Sequence, residues 1–594
     1  MRIPSSRLRP LSVGLLLALT LVGASLPRSY NGVTTNPLGA RVARAQAATD
    51  NAAAAPPAQG NAAAAAPDPT AGPGDAAADS TGKMSDIADA SGSPSDAQTA
   101  SIKAAGPGVS FMADAIGQNR VGINMMWLLV TGFLVMFMQA GFALVETGFT
   151  RAKNAAHTMM MNFGCYFLGI TGFWICGFAL MYGNVGAIST MGGTPPLDHA
   201  GSFGNFLGGS LFGTHGFFLA GNTYDVGTYA MFLFQMVFMD TAVTIVTGSM
   251  CERWKFSSFI VYCFFMSCVL YPIFGHWAWG GGWLSQLGAT HGIGCGYVDF
   301  AGSGVVHAVG GLCALAGAMV LGPRIGKYNK DGSANAFAGH DLPIAILGVI
   351  ILGFGWFGFN PGSTFGASGA GSLRIGIVAT TTMLASAGGA VSSMLYSYMK
   401  VKKPDVGMIC NGFLGGLVAI TAPSAFVSGS VGFGIGLIAG VLICVSMEMF
   451  DKFHLDDPVG ACSVHGVGGL FGVLCVGLFA DGTYGNGWNA TTNAAGVSVP
   501  LKGLFMGGGF GQLEAQLIGC VTLIVWAFGF SYIFFKIQDA VMGLRVSPED
   551  EIAGLDMPEM GVLAYPTFPT ETAFDNAHNS NGAVAPGQIA GQPV

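Results

Sequence analysis

Two stretches of this chain share an uncommon pattern. Asp299–Leu312 and Asp457–Leu470 both read D-x-x-G-x-x-x-V-H-x-V-G-G-L, with His307 and His465 in matching places. Imidazole both donates and accepts a proton near neutrality. A repeated histidine therefore offers proton transfer, metal ligation or haem ligation. No third and fourth ligand stands near either one, which argues against zinc. Bis-histidine haem ligation stays open, as does hydrogen bonding to helix carbonyls. Asp457 suits a helix N-cap. For Asp299, capping and a role at a pore mouth are equal readings.

The composition says where these groups must sit. Of 594 residues only 9% are charged and 51% are hydrophobic, against about 25% charged in a soluble domain. Mean hydropathy is +0.56. This excludes an ordinary soluble enzyme, a disordered chain and a basic nucleic-acid binder. The 93 glycines fit closely packed membrane helices. The 12 cysteines form no CxxC pair and read as small packing residues.

Apolar runs of span length, about 20 residues each, lie near 122–149, 155–182, 227–250, 257–276, 299–322, 342–361, 372–399, 407–427, 430–450, 461–480 and 513–538. The expected fold is an all-α membrane protein of eleven transmembrane helices in 119–540. Residues 1–47 read as a signal peptide: Arg2, Arg7 and Arg9 precede the apolar run Leu11–Leu26. An uncleaved first helix is the other reading. Residues 48–118 read as a low-complexity linker, since no aromatic residue occurs between Asn31 and Ser110. Residues 541–594 read as a C-terminal tail. No catalytic domain is attached.

Basic residues set the expected orientation. Arg151, Lys153, Arg253, Lys255, Arg324, Lys327, Lys400, Lys402 and Lys403 fall in one set of loops; the opposite set holds Arg374 and Lys502. The positive-inside rule puts the C-terminus in the cytoplasm and, with an odd helix count, the mature N-terminus outside. The first motif then opens the fifth helix and the second the tenth, which run in opposite directions. That is an inverted five-plus-five repeat with an extra C-terminal helix, and such repeats place their site near the midplane. Eight helical residues would carry each His about 12 Å inward, so the two imidazoles are expected to meet.

Several further pieces stand beside these motifs: Thr150-Arg-Ala-Lys-Asn154, Glu252-Arg253, His276-Trp-Ala-Trp279-Gly-Gly-Gly282, Gly355-Trp356-Phe-Gly-Phe359-Asn360-Pro-Gly-Ser363, Gly543-Leu-Arg-Val546 and Gly554-Leu-Asp556. Together they resemble the ammonium transporters of the Amt/Rh superfamily, the Amt branch above all, over about Gly122–Tyr565. The resemblance implies no cofactor, a homotrimer with one pore per subunit, a multi-pass place in the inner membrane, and a tail that answers to a PII-type signalling protein. It implies substrate binding at Trp279, Ser363 and Phe238, a gate of Phe238 and Phe359, pore histidines His307 and His465, and a structural or deprotonating acid at Asp299. A cation can sit over an indole face, though an interfacial anchor also fits Trp279. The implied chemistry recruits NH4+, removes its proton and passes NH3, with the proton carried past the histidines. An ammonium sensor with little transport is a rival. A potassium channel lacks TVGYG, and a water channel has only one partial motif.

Departures stand out. Gly460 replaces an acid that many relatives carry, and Pro361 replaces a small residue. Asp240 and Glu146 are acids inside apolar runs, costly there unless paired. For Asp240, a proton path and a helix-to-helix hydrogen bond are equal readings.

Overall fold

The computed structural model describes residues 107–183, 202–223, 226–368 and 370–565. The expected signal, most of the linker and residues 566–594 lie outside them. Among the described residues, ten helices are long and apolar enough to cross a membrane. In chain order, with one shorter apolar helix, they are α1 (Asn119–Phe149), α2 (Ala152–Tyr182), α3 (Val226–Met250), α4 (Phe256–Trp279), α5 (Ser303–Leu321), α6 (Leu342–Thr364), α7 (Arg374–Val401), α8 (Val406–Ile420), α9 (Gly429–Lys452), α10 (Cys462–Phe479) and α11 (Gly511–Met542). The expected span 407–427 is thus α8, with 15 helical residues; Thr421–Val427 continues as turns around Pro423. A short antiparallel pair, Ser202–Phe203 with Phe212–Gly213, caps one face.

The first helix extends back to Pro107, so the last residues of the expected linker are helical. Proline suits a first helical turn, where its missing N–H costs nothing.

α3 is the central element. Almost every residue from Phe234 to Met250 is buried, so its apolar sequence shows little sidedness. Glycines set the closest approaches. A Cβ on Gly440 or Gly436 of α9 would strike the backbone of Gly389 or Ala385 in α7. The four-residue glycine spacing of α9 therefore packs these two helices tightly.

Of the motif helices, α5 starts four residues after its expected run and α10 within one residue of it. α5 begins at Ser303, because Asp299–Gly302 is irregular and Gly302 is left-handed at φ +115°. α10 begins at Cys462, after left-handed Gly460 at φ +82°. Each His therefore sits within the first two turns, and the 12 Å helical descent does not place it. Both histidines lie in π-helical turns, Ser303–Ala308 and Cys462–Val467. Such wide turns displace a side chain from the regular helical face and recur at functional sites.

Candidate functional site: an aromatic and imidazole column

The motif aspartates hold the helix starts. The Asp299 carboxylate accepts N–H bonds from Gly302, Gly304 and Val305 at 2.8–2.9 Å. Asp457 accepts from the Cys462 N–H at 2.9 Å and the Ser249 hydroxyl at 2.7 Å. Both carboxylates bond backbone N–H groups at the helix starts, as caps do. The Asp299 backbone carbonyl also accepts the Trp279 indole N–H at 2.7 Å. Asp299 thereby fixes both the start of α5 and the indole beside it.

A column of rings begins at that indole. Trp279 is half-buried and meets Phe238 edge-on, with ring centres 6.4 Å apart. Phe238 stacks on Phe359 at 4.1 Å. Phe359 stacks on His307 at 5.3 Å, and His307 lies beside His465 at 5.2 Å. The two Nδ1 atoms are 3.1 Å apart, a hydrogen bond between imidazoles. Ser363 is buried near the Trp279 end and donates its hydroxyl to the Phe359 carbonyl at 2.7 Å. Its oxygen lone pairs remain to accept another hydrogen bond.

Two supporting rings were not singled out by sequence. Trp356 stacks on His307 at 5.2 Å, and its indole N–H donates to Thr421 at 3.0 Å. Phe142 stands 6.1 Å from His465. Trp356 lies three residues before Phe359, one turn along the same face, and that spacing was the available signal. His307 Nε2 is buried and meets no hydrogen-bond partner among the described residues. The Nδ1 separation also bears on haem. Two nitrogens flanking a metal at roughly 2 Å each would stand about 4 Å apart, so this pair is too close to hold an iron between them.

The other expected acid does not join the column. Asp240 is buried, and its Oδ1 meets no hydrogen-bond partner among the described residues. Two residues along a helix turn about 200°, which puts it on the face of α3 away from Phe238. Glu146 does face the column, four residues after Phe142 on α1.

The face bearing the basic loops is closed by ion pairs. Arg324 donates to Asp456 from Nε at 2.8 Å and from Nη2 at 2.9 Å, and to Glu252 at 3.1 Å. Arg151 Nε reaches Glu252 at 2.6 Å. Burial would raise the Asp456 pKa, but the nearby Arg253 and Arg324 charges hold it well below the usual carboxylate range. The segment after Gly543 docks here. Val546 N–H donates to the Arg253 carbonyl at 3.1 Å, Arg545 pairs with Glu551 at 2.8 Å, and Asp556 accepts the His157 N–H at 3.0 Å.

Residues 126–565 match the sequence model of the Ammonium Transporter Family. The chain belongs to the ammonium transporter family. Ammonium transporter Amt2 of Archaeoglobus fulgidus is 46% identical over 79% of this chain and 94% of its own length. Ammonium transporter Amt1 of Haloferax mediterranei is 35% identical over 78% of this chain and 83% of its own. Among solved structures, a protein titled Sensor Amt Protein superposes with a TM-score of 0.63 at 36% identity, covering 74% of this chain and 99% of that one. Candida albicans Mep2 superposes with a TM-score of 0.59 at 25% identity, covering 72% and 87%.

Proposed function

We propose that this ammonium transporter family member recruits NH4+ beside Trp279 and Ser363, removes its proton, and passes NH3 between Phe238 and Phe359 to the histidine pair. The observation that supports this reading is the unbroken column from Trp279 to His465. Bare NH4+ is costly in so apolar a passage. Held over an indole and bonded to a hydroxyl oxygen, the ion exchanges hydration for protein contacts at the mouth. Once neutral, ammonia crosses the stacked rings at far lower cost.

The proton takes a parallel route through the hydrogen-bonded imidazoles, so net movement carries charge. K+ has no proton to give and is refused on chemistry as well as size. Asp299 acts by positioning. The basic-loop face is the cytoplasmic one, the membrane is the inner membrane, and three subunits assemble with one column each. The docked segment after Gly543 offers a surface to a PII-type partner.

The test is an ammonium concentration jump on proteoliposomes, read as current, with K+ as the control. Wild type gives current with ammonium alone. His307→Ala with His465→Ala abolishes the current or admits K+. If both readings stay as in wild type, the relay is wrong. A wild type that binds ammonium without current points to sensing instead.

A further inference from the structure

The column does not end at His465. On the basic-loop side a small cavity of about 20 Å3, room for about one water-sized molecule, continues from that imidazole, lined by Phe142, Ile245, Asn411, Val464 and Glu146. Glu146 is the acid in this lining and is 2% exposed. No side chain from Gly460 enters: a Cβ there would fall 2.7 Å from Asn411 Nδ2. Gly248 leaves room as well, since a Cβ on it would press on Val459 at 2.5 Å and Glu146 Oε1 at 3.3 Å.

The carboxyl is held for a purpose that packing alone does not need. Asn162 Nδ2 donates to Oε2 at 2.7 Å, and the Thr247 hydroxyl lies 2.8 and 2.9 Å from the two oxygens. Asn162 is itself oriented, because its Oδ1 accepts from Thr244, whose hydroxyl accepts from Gln139 Nε2 at 2.9 Å. Thr247 has a second option, the Thr244 carbonyl at 2.5 Å. With Glu146 ionised, the Thr247 hydroxyl donates to the carboxylate. With Glu146 protonated, its O–H donates to the Thr247 oxygen, and the hydroxyl turns to Thr244. One rotating hydroxyl thus satisfies both protonation states, which a buried carboxyl ordinarily cannot achieve without leaving a group unpaired.

We infer that Glu146 is the proton-exchanging group on the basic-loop side of the histidine pair, and that the cavity it shares with His465 is a second site for the ammonium ion. This rests on the transport reading above. A proton leaving His465 converts the Glu146 carboxylate to the acid. Ammonia arriving in the cavity takes that proton: an N–H bond forms, the carboxyl O–H bond breaks, and NH4+ is left beside the carboxylate. The ion leaves toward the basic-loop face, and the next proton restores the acid.

Glu146→Gln tests this, because the amide keeps the hydrogen bonds to Asn162 and Thr247 and cannot carry a proton. In proteoliposomes its ammonium current should fall about tenfold or more, as loss of a proton-transfer group does. Its thermal midpoint in detergent should stay within about 3 °C of wild type. Glu146→Asp should recover a substantial part of the current. A Glu146→Gln current within about twofold of wild type, or equal loss in the Gln and Asp variants, overturns the inference. If Glu146→Gln does not fold, Thr247→Val replaces it; it removes the rotating hydroxyl, and an unchanged current overturns the inference. Failure of the transport reading looks different: the wild-type protein itself then gives no ammonium current.

Discussion

Gly311 and Gly466 meet backbone to backbone, so closely that a Cβ on Gly311 would run into the Gly466 nitrogen. The reciprocal contact joins Gly469 to Ala308, where a Cβ would fall 2.7 Å from the Ala308 nitrogen. In each, a glycine four residues after one His touches the residue just after the other. Exchanging the two halves of the repeat exchanges the two contacts, as an inverted repeat requires. The paired glycines of the motif are what let the imidazoles come within hydrogen-bonding distance.

Gly311→Ala should therefore separate α5 from α10. Overpacking at a backbone contact costs about 1–3 kcal/mol, so the thermal midpoint in detergent should fall and the ammonium current with it. Gly376→Ala is the control, because nothing lies within 4 Å of its Cβ. That variant should match or exceed wild type.

Asp299→Asn should uncap α5. The amide brings N–H groups toward three backbone donors that now face a carboxylate. A hydrogen bond to a charged group contributes about 1.5–3 kcal/mol. A loss of stability near the lower end, with reduced current, is the expected outcome of a denaturation curve and a flux assay. Unchanged stability would show that the cap does not matter.

Acid should weaken the basic-loop face through Asp456. Its pKa is depressed in the folded protein, so its contribution is complete above the unfolded value, about 4. That contribution is lost as pH falls from there toward the folded value. Unfolding midpoints measured from pH 7 to pH 3 should drop below about pH 4 in wild type. Asp456→Asn leaves Arg324 paired with Glu252 alone, so it should start lower by part of the about 3–5 kcal/mol that breaking a buried pair costs, and lack that acid-dependent step.

Asp556→Ala should loosen the docked C-terminal segment. It removes the acceptor for the His157 and Ala564 N–H groups. A loss of about 1.4 kcal/mol is a tenfold change in local opening. Hydrogen exchange over residues 543–565 should speed up by about that factor, while α3 keeps its protection. Equal exchange in the two proteins would show that docking rests instead on Arg545 and on the Leu555 N–H, which donates to Asn154 Oδ1 at 3.0 Å.

Much of this was legible because the motif occurs twice. One His in an apolar run is ambiguous; two, in helices of opposite direction, can meet. The start of α5 is not legible, because the four non-helical residues Asp299–Gly302 look like the helix they precede. Trp356 belongs to a conspicuous motif, but its place on His307 depends on which way α6 turns. The partners of Glu146 were hidden for a further reason. Asn162 and Thr247 belong to α2 and α3, and only packing brings them to α1. The docked segment shows the reverse case. Gly554 is left-handed at φ +106° against Lys153, so a conspicuous glycine in the sequence corresponds to a tight backbone contact.

The bond between the two Nδ1 atoms has one hydrogen, so the neutral rings always hold opposite tautomers. A proton entering at one outer nitrogen and leaving at the other moves that hydrogen across and reverses the pair. The pair then points the wrong way for the next proton in the same direction. His307 is stacked against both Trp356 and Phe359, which opposes turning the ring over. In the proposed relay each crossing thus leaves a record of its direction, and that record must be erased before the next crossing. Under the proposed relay, transport then requires the wire to reset as well as the cargo to pass.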